Sequence, residues 1–254
     1  MANLDTQPYK GVRDFYPEDM AVQNYIFGVW RKIVEGSGYQ EYSASMLEPT
    51  ELYTEKSGAE IVNDQTFTFI DRGERSVTLR PEMTPSLARM VAAQRKSLKF
   101  PLRWYSIPNL FRYERPQRGR KREHWQLNVD LLGMTGVEAD KEIVSIAYKI
   151  MREFGAKDED FAIHINNADV EAFKDIAPNV ILDPELARGQ TYYTGMVFEI
   201  FDTNKENGRA LAGGGRYDNL LELFGVEPVP AVGFAAGDVG IRDFLETHGL
   251  PTSK

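Results

Sequence analysis

The 254-residue sequence contains no cysteine, which excludes disulfides and thiolate metal sites alike. Its histidines, His124, His164 and His248, lie far apart in the chain, against the close spacing of a histidine-built zinc centre. No segment reaches the roughly 18 apolar residues of a membrane span. The N-terminal MANLDTQPYK has neither a basic start nor an apolar run. The expectation is a soluble, cytoplasmic protein with no membrane partner. Positive charge is also scarce, 30 basic residues against 38 acidic ones for a net charge of -8. A surface that grips nucleic acid by general electrostatics is therefore not expected, and any polyanion must bind locally.

One stretch could do so. From Arg112 to Arg122, six cations surround a single carboxylate, Glu114. The runs 102–113 and 123–133 on either side have strand character, so RPQRGRK reads as the cationic loop of a long hairpin. Arginine suits phosphate because its planar fork binds two oxygens at once, each charged hydrogen bond contributing roughly 1.5–3 kcal/mol. A merely solvated tip is the competing reading. Arg112 counts against it, since it falls inside the strand pattern, where an unpaired guanidinium is costly to bury.

With 42% hydrophobic residues, the chain can bury a large core, and a single domain over 1–254 is expected. From Pro17 to Gly38, Met20, Val22, Ile26, Val29, Trp30, Ile33 and Val34 recur at helical steps, with Gly36 or Gly38 as the stop. A second helix is expected from an N-cap at Thr84 and Pro85, and a third over Val137 to Phe154, closed by Gly155. Further strand-like runs fall at 67–70, 76–79, 161–166, 180–183, 196–201 and 229–237. Short turn-rich connections favour antiparallel pairing, so the fold class is α+β, an antiparallel sheet flanked by helices. Locally, Gly213, Gly214 and Gly215 read as a tight turn or bulge before an RYDNLLELF helix. Tyr192 and Tyr193 could be strand aromatics, and Glu82 a carboxylate near a helix N-terminus.

Several ordered segments together carry a resemblance. FRYERPQRGRKREHWQ, KGVRDFYPED, TLRPEMTPSLARMVA, LARGQTYYTGMVFE with AGGGRYDNLL, and VGFAAGD are similar to the motifs of class II aminoacyl-tRNA synthetases in their histidyl-tRNA synthetase form. The resemblance implies an antiparallel sheet with helices, a homodimer, and activation of histidine by ATP before transfer to tRNA. Arg112 would hold the α-phosphate and the reacting carboxylate, with Arg188 as a second catalytic arginine. Glu114 would contact the adenine side, and Arg120 and Arg122 the outer phosphates. Glu82, Thr84, Gln126 and Asp130 match positions that bind histidine, while Tyr192 and Tyr193 line its imidazole pocket. Mg²⁺ would bridge the phosphates, with no separate metal site, and the hairpin tip would meet the tRNA acceptor end.

The chain also departs from that pattern. Val239 and Gly240 replace the acid and arginine of motif 3, and Arg242 would point to another helix face. Gln190 and Thr191 replace a Leu-Asp pair, and Ser45 a motif 1 proline. About fifty residues separate Asp140 from Arg188, too few for the family's inserted helical domain. The expectation is that no anticodon-binding domain follows motif 3. The alternative reading is a non-catalytic histidine sensor similar to the regulatory subunit of ATP phosphoribosyltransferase, which the missing motif 3 arginine favours.

Overall fold

The computed structural model describes residues 4–54, 65–167 and 169–253, so both ends of the expected 1–254 domain lie outside the described residues. The described helices are α1 (Pro17–Gly36), the single-turn α2 (Glu51–Thr54), α3 (Thr84–Gln94), α4 (Val137–Glu153) and α5 (Asp238–Thr247). The strands are β1 (Gln40–Glu41), β2 (Leu47–Pro49), β3 (Phe67–Ile70), β4 (Ser76–Leu79), β5 (Leu102–Ser106), β6 (Asn109–Phe111), β7 (Glu123–Leu132), β8 (Phe161–Ile165), β9 (Val180–Leu182), β10 (Val197–Asp202), β11 (Ala210–Arg216) and β12 (Ala231–Gly237). One nine-stranded sheet runs β1-β5-β7-β12-β11-β10-β8-β9, with β6 on the outer part of β7. A smaller sheet has the order β2-β4-β3.

The period-2 alternation of β7 and β12 divides the protein into two faces. Leu127, Val129 and Leu131, with Val232, Phe234 and Ala236, pack on Ile26 and Trp30 of α1 and Ile143, Ala147 and Ile150 of α4. This face is the main core. The opposite face carries the polar members Gln126, Asn128 and Asp130 and the small members Gly233, Ala235 and Gly237. There α3 supplies Leu87, Ala88 and Val91 to a second cluster with Leu132, Tyr217 and Leu221. Between that cluster and the sheet's far edge the face stays open.

The α+β expectation holds, with five corrections. Two pairings, β1 with β5 and β8 with β9, are parallel. The run 102–113 breaks at Ile107 and Pro108, because proline offers no amide to the ladder. Gly213, Gly214 and Gly215 form no turn; they lie inside β11, between β10 and β12. A side chain at Gly214 would collide with the Gly233 carbonyl and Phe234 of β12, so glycine here permits close strand packing. The RYDNLLELF segment forms only a 3₁₀ turn at Leu220–Phe224. Thr84 is the first residue of α3, and no side chain caps that helix.

Candidate active site

The site is a trough across the sheet's open face. Strand register aligns Asn128 with Ala235, Ala235 with Gly213, Gly213 with Glu199, and Glu199 with His164. In the adjacent row Asp130 pairs with Gly233, and Gly233 with Gly215. Two polar walls thus face each other across a floor of glycine and alanine. The glycines are needed: a side chain at Gly233 would strike Asp130, and one at Gly213 would strike Arg188.

At the β7 wall a small recess of about 80 Å³ is lined by Glu82, Thr84, Gln126, Asn128, Asp130, Gln190, Tyr192 and Tyr193, among others. Glu82, at the start of α3, is buried and accepts a 3.1 Å hydrogen bond from the Tyr192 hydroxyl. The Tyr192 and Tyr193 rings lie 5.0 Å apart. Asp130, also buried, accepts from the Tyr217 hydroxyl. Burial pushes the Asp130 carboxyl up to about 7, and the Tyr217 hydrogen bond opposes the shift.

The recess opens into a cleft of about 940 Å³, within the range of small-molecule sites. Arg112 and Arg188 line both cavities. Arg112 follows β6 and its Nε donates to the Pro81 carbonyl at 2.8 Å. Arg188 reaches in from the loop before β10, held by Glu199 at 2.6 Å. Its Nε is buried with no hydrogen-bond partner among the described residues. Along the cleft come Glu114, Arg118, Arg120 and Lys121, with Glu114 and Arg120 in an ion pair.

Arg122 sits elsewhere. It is buried outside the cleft, 3.8 Å from the Tyr113 ring centre, donating to the Glu114 carbonyl at 3.1 Å and the Tyr9 hydroxyl at 3.0 Å. It anchors the hairpin to the N-terminal segment. Arg242 also lies off the cleft, paired with Asp19 and Glu246, while Val239 and Gly240 line it. Asp238 is fully buried and accepts from Arg13, Gln23 and the Trp125 amide. Asn128, His124, Glu199 and Arg209 line the cavities without having been singled out by sequence. The first two continue the alternation of Gln126 and Asp130 along β7. Burial, then the charges of Arg112 and Arg13, depress His124 to about 3, so it is neutral at physiological pH.

A trough of this form, with one arginine on the hairpin beside β7 and another facing it across an antiparallel sheet, defines a catalytic domain of the class II aminoacyl-tRNA synthetase type. Comparison narrows the class. The family model described as histidyl-tRNA synthetase matches residues 11–177 and 162–238. The histidine–tRNA ligase of Leptospira biflexa is 39% identical over 97% of this chain and 76% of its own length. Apo histidyl-tRNA synthetase from S. aureus superposes with a TM-score of 0.82 at 28% identity, covering 97% of this chain and 72% of that one. A Bacillus halodurans structure described as an ATP phosphoribosyltransferase regulatory subunit/histidyl-tRNA synthetase has a TM-score of 0.79 at 22% identity, covering 96% and 84%. This chain belongs to the histidyl-tRNA synthetase family.

Proposed function

We propose that the chain binds histidine in the recess and ATP in the cleft and joins them as histidyl-adenylate, the activation step of a histidine–tRNA ligase. The observation that carries this reading is that Arg112 and Arg188 both line the junction of the two cavities. A carboxylate held in the recess and a phosphate held in the cleft meet there. The carboxylate oxygen bonds to the α-phosphorus, the bond to the bridging oxygen breaks, and pyrophosphate leaves. Negative charge grows on phosphate oxygens in that step, so positioned guanidinium groups lower its barrier. Glu82, Thr84 and Gln126 face the α-ammonium group of the amino acid, Asp130 its imidazole, and Tyr192 and Tyr193 wall the ring.

Glu114 is assigned to the adenine side and Arg120 to the outer phosphates. Arg122, with its guanidinium already engaged, positions the hairpin and binds no phosphate. Among the described residues no group of three or more His, Asp or Glu side chains could hold a metal. Mg²⁺ is assigned to the ATP substrate, where it would neutralise phosphate charge. The exposed hairpin tip suits the tRNA acceptor end. Homodimerisation is assigned to the small sheet and Ser45 beside it, where Met46, Leu47, Phe69 and Ile70 are exposed. Light scattering should give twice the chain mass, and a monomer at all concentrations would reject the dimer.

The match with the Leptospira protein extends over 330 residues, more than the 254 of this chain, which supports the lack of an inserted domain here. Gly240 in the cleft favours the second reading, a histidine sensor that does no chemistry. Calorimetry with histidine and with MgATP separates the two. Both should bind; histidine binding without ATP binding would favour the sensor.

A further inference from the structure

The cleft contains a cation to which the roles above give no task. Arg209 stands immediately before β11 and lines the cleft. Its neighbours are engaged: Arg112 with the Pro81 carbonyl, Arg120 with Glu114, Arg188 with Glu199, and Arg118 with Glu206 at 3.5 Å. Arg118 and Lys121 also act on the Asp243 carboxylate, favouring its charged form against burial. No hydrogen bond or ion pair joins the Arg209 side chain to another described residue. A guanidinium that lines a cavity and lacks an internal anion is a ready site for an anionic ligand.

Contacts locate it within the cleft. A methyl group added at Gly119, at the hairpin tip, would lie 3.3 Å from Arg209 Cδ and 3.9 Å from Asp243 Oδ2. The Arg209 stem and the Asp243 carboxylate of α5 therefore both lie close to the tip. Gly240, one turn before Asp243 on α5, lines the same cleft and lies against Leu211, two residues after Arg209. So α5 presents no side chain at the position beside which β11 begins with a cation that no described residue pairs. Arg112 and Arg188 mark the opposite, inner end, where the cleft meets the recess. An ATP molecule with its α-phosphate at that junction can extend its outer phosphates toward Arg209.

We infer that Arg209 binds the outer phosphates of ATP, supplying from β11 the positive charge that α5 lacks at Gly240. This rests on the assignment of ATP to the cleft. The test measures binding of MgATP, AMP and histidine to the wild-type chain, Arg209→Ala and the double variant Arg209→Ala with Gly240→Arg. Arg209 is exposed, so its alanine variant should fold, which circular dichroism checks. Loss of a charge-assisted contact should weaken ATP binding about 10- to 100-fold, with AMP and histidine unchanged within twofold. A side chain at position 240 would meet Leu211 at 3.8 Å, an ordinary contact, so the double variant should recover most of the ATP affinity.

Equal weakening of AMP and ATP, or an ATP affinity unchanged within twofold, would overturn the assignment. A double variant as weak as Arg209→Ala would overturn the claim that positions 209 and 240 serve one subsite. A wild-type chain that binds no ATP would overturn both this inference and the proposed function. If the expected Arg209 losses are seen but histidine-dependent chemistry is absent, only the proposed reaction falls.

Discussion

Arg188 Nη1 lies 2.6 Å from Glu199 Oε1, and the pair crosses above Gly213, where any side chain would displace it. Glu199 therefore fixes the guanidinium that the proposed function sets against the α-phosphate. Burial raises the Glu199 carboxyl, and Arg188 and then His164 oppose that shift. Glu199→Ala should lower the rate of adenylate formation about 10- to 100-fold by releasing Arg188, a misplacement cost typical of positioning groups. Histidine affinity should fall less than the rate, since Arg188 lines the recess but Glu199 does not. Glu199→Gln, which keeps an acceptor, should retain more activity than alanine. Parallel loss of rate and of histidine affinity would instead indicate general damage to the trough.

Arg112 and Arg118 belong to one short segment but should differ sharply. Arg112→Ala is expected to reduce adenylate formation by on the order of 10³, as loss of a positioned charge-stabilising group does. Arg118, whose side chain is 54% exposed beside Glu206, should be nearly neutral to alanine. Lysine at 112 should rescue little, because it restores charge without the fork. Pyrophosphate-exchange rates on the variants measure this contrast, and equal losses would reassign the cluster to general polyanion docking.

Arg122→Ala should act on stability. Its guanidinium donates to the Glu114 carbonyl, the Tyr9 hydroxyl and the Lys10 carbonyl, and lies over the Tyr113 ring. Removing it leaves the buried Glu114 carbonyl without this partner at about 1–3 kcal/mol and frees the hairpin from the N-terminal segment. Urea unfolding should show the loss. Unchanged stability with a large rise in the KM for ATP would return Arg122 to the phosphates.

Asp130 gives a pH signature. Below about pH 4, near the ordinary value of 3.8, the carboxyl is protonated folded and unfolded; between there and about 7 the unfolded chain releases the proton first. Its contribution to stability therefore falls as pH rises through that window and levels off above about 7. Asp130→Asn removes the penalty, so its thermal midpoint relative to wild type should climb by several degrees from pH 4 to pH 8. A constant difference across that range would contradict the buried, raised carboxyl.

The sequence showed those parts of the site that are local in the chain. Gln126 and Asp130, which the resemblance named, fall on one side of β7 because strands alternate, and the same alternation should have added His124 and Asn128. Arg112 was legible because a charge inside a strand pattern demands a ligand or a partner. The fate of Arg122 was not, since burial by Tyr9 and Tyr113 depends on how the N-terminal segment crosses the hairpin. Tertiary pairing also decided Tyr217 with Asp130 and Arg13 with Asp238, the latter 225 residues apart. The triple glycine misled because glycine is common in turns, whereas here strand crowding and the Arg188 side chain require it. Arg209 drew no notice because it belongs to no strand pattern and only its place in the cleft sets it apart.

Histidine and ATP are proposed to react where the recess meets the cleft. Histidine-dependent exchange of labelled pyrophosphate into ATP measures that step without tRNA. Exchange should saturate in both substrates, require Mg²⁺ and collapse in Arg112→Ala. A folded chain that binds histidine yet shows no exchange above background at saturating ATP would contradict it.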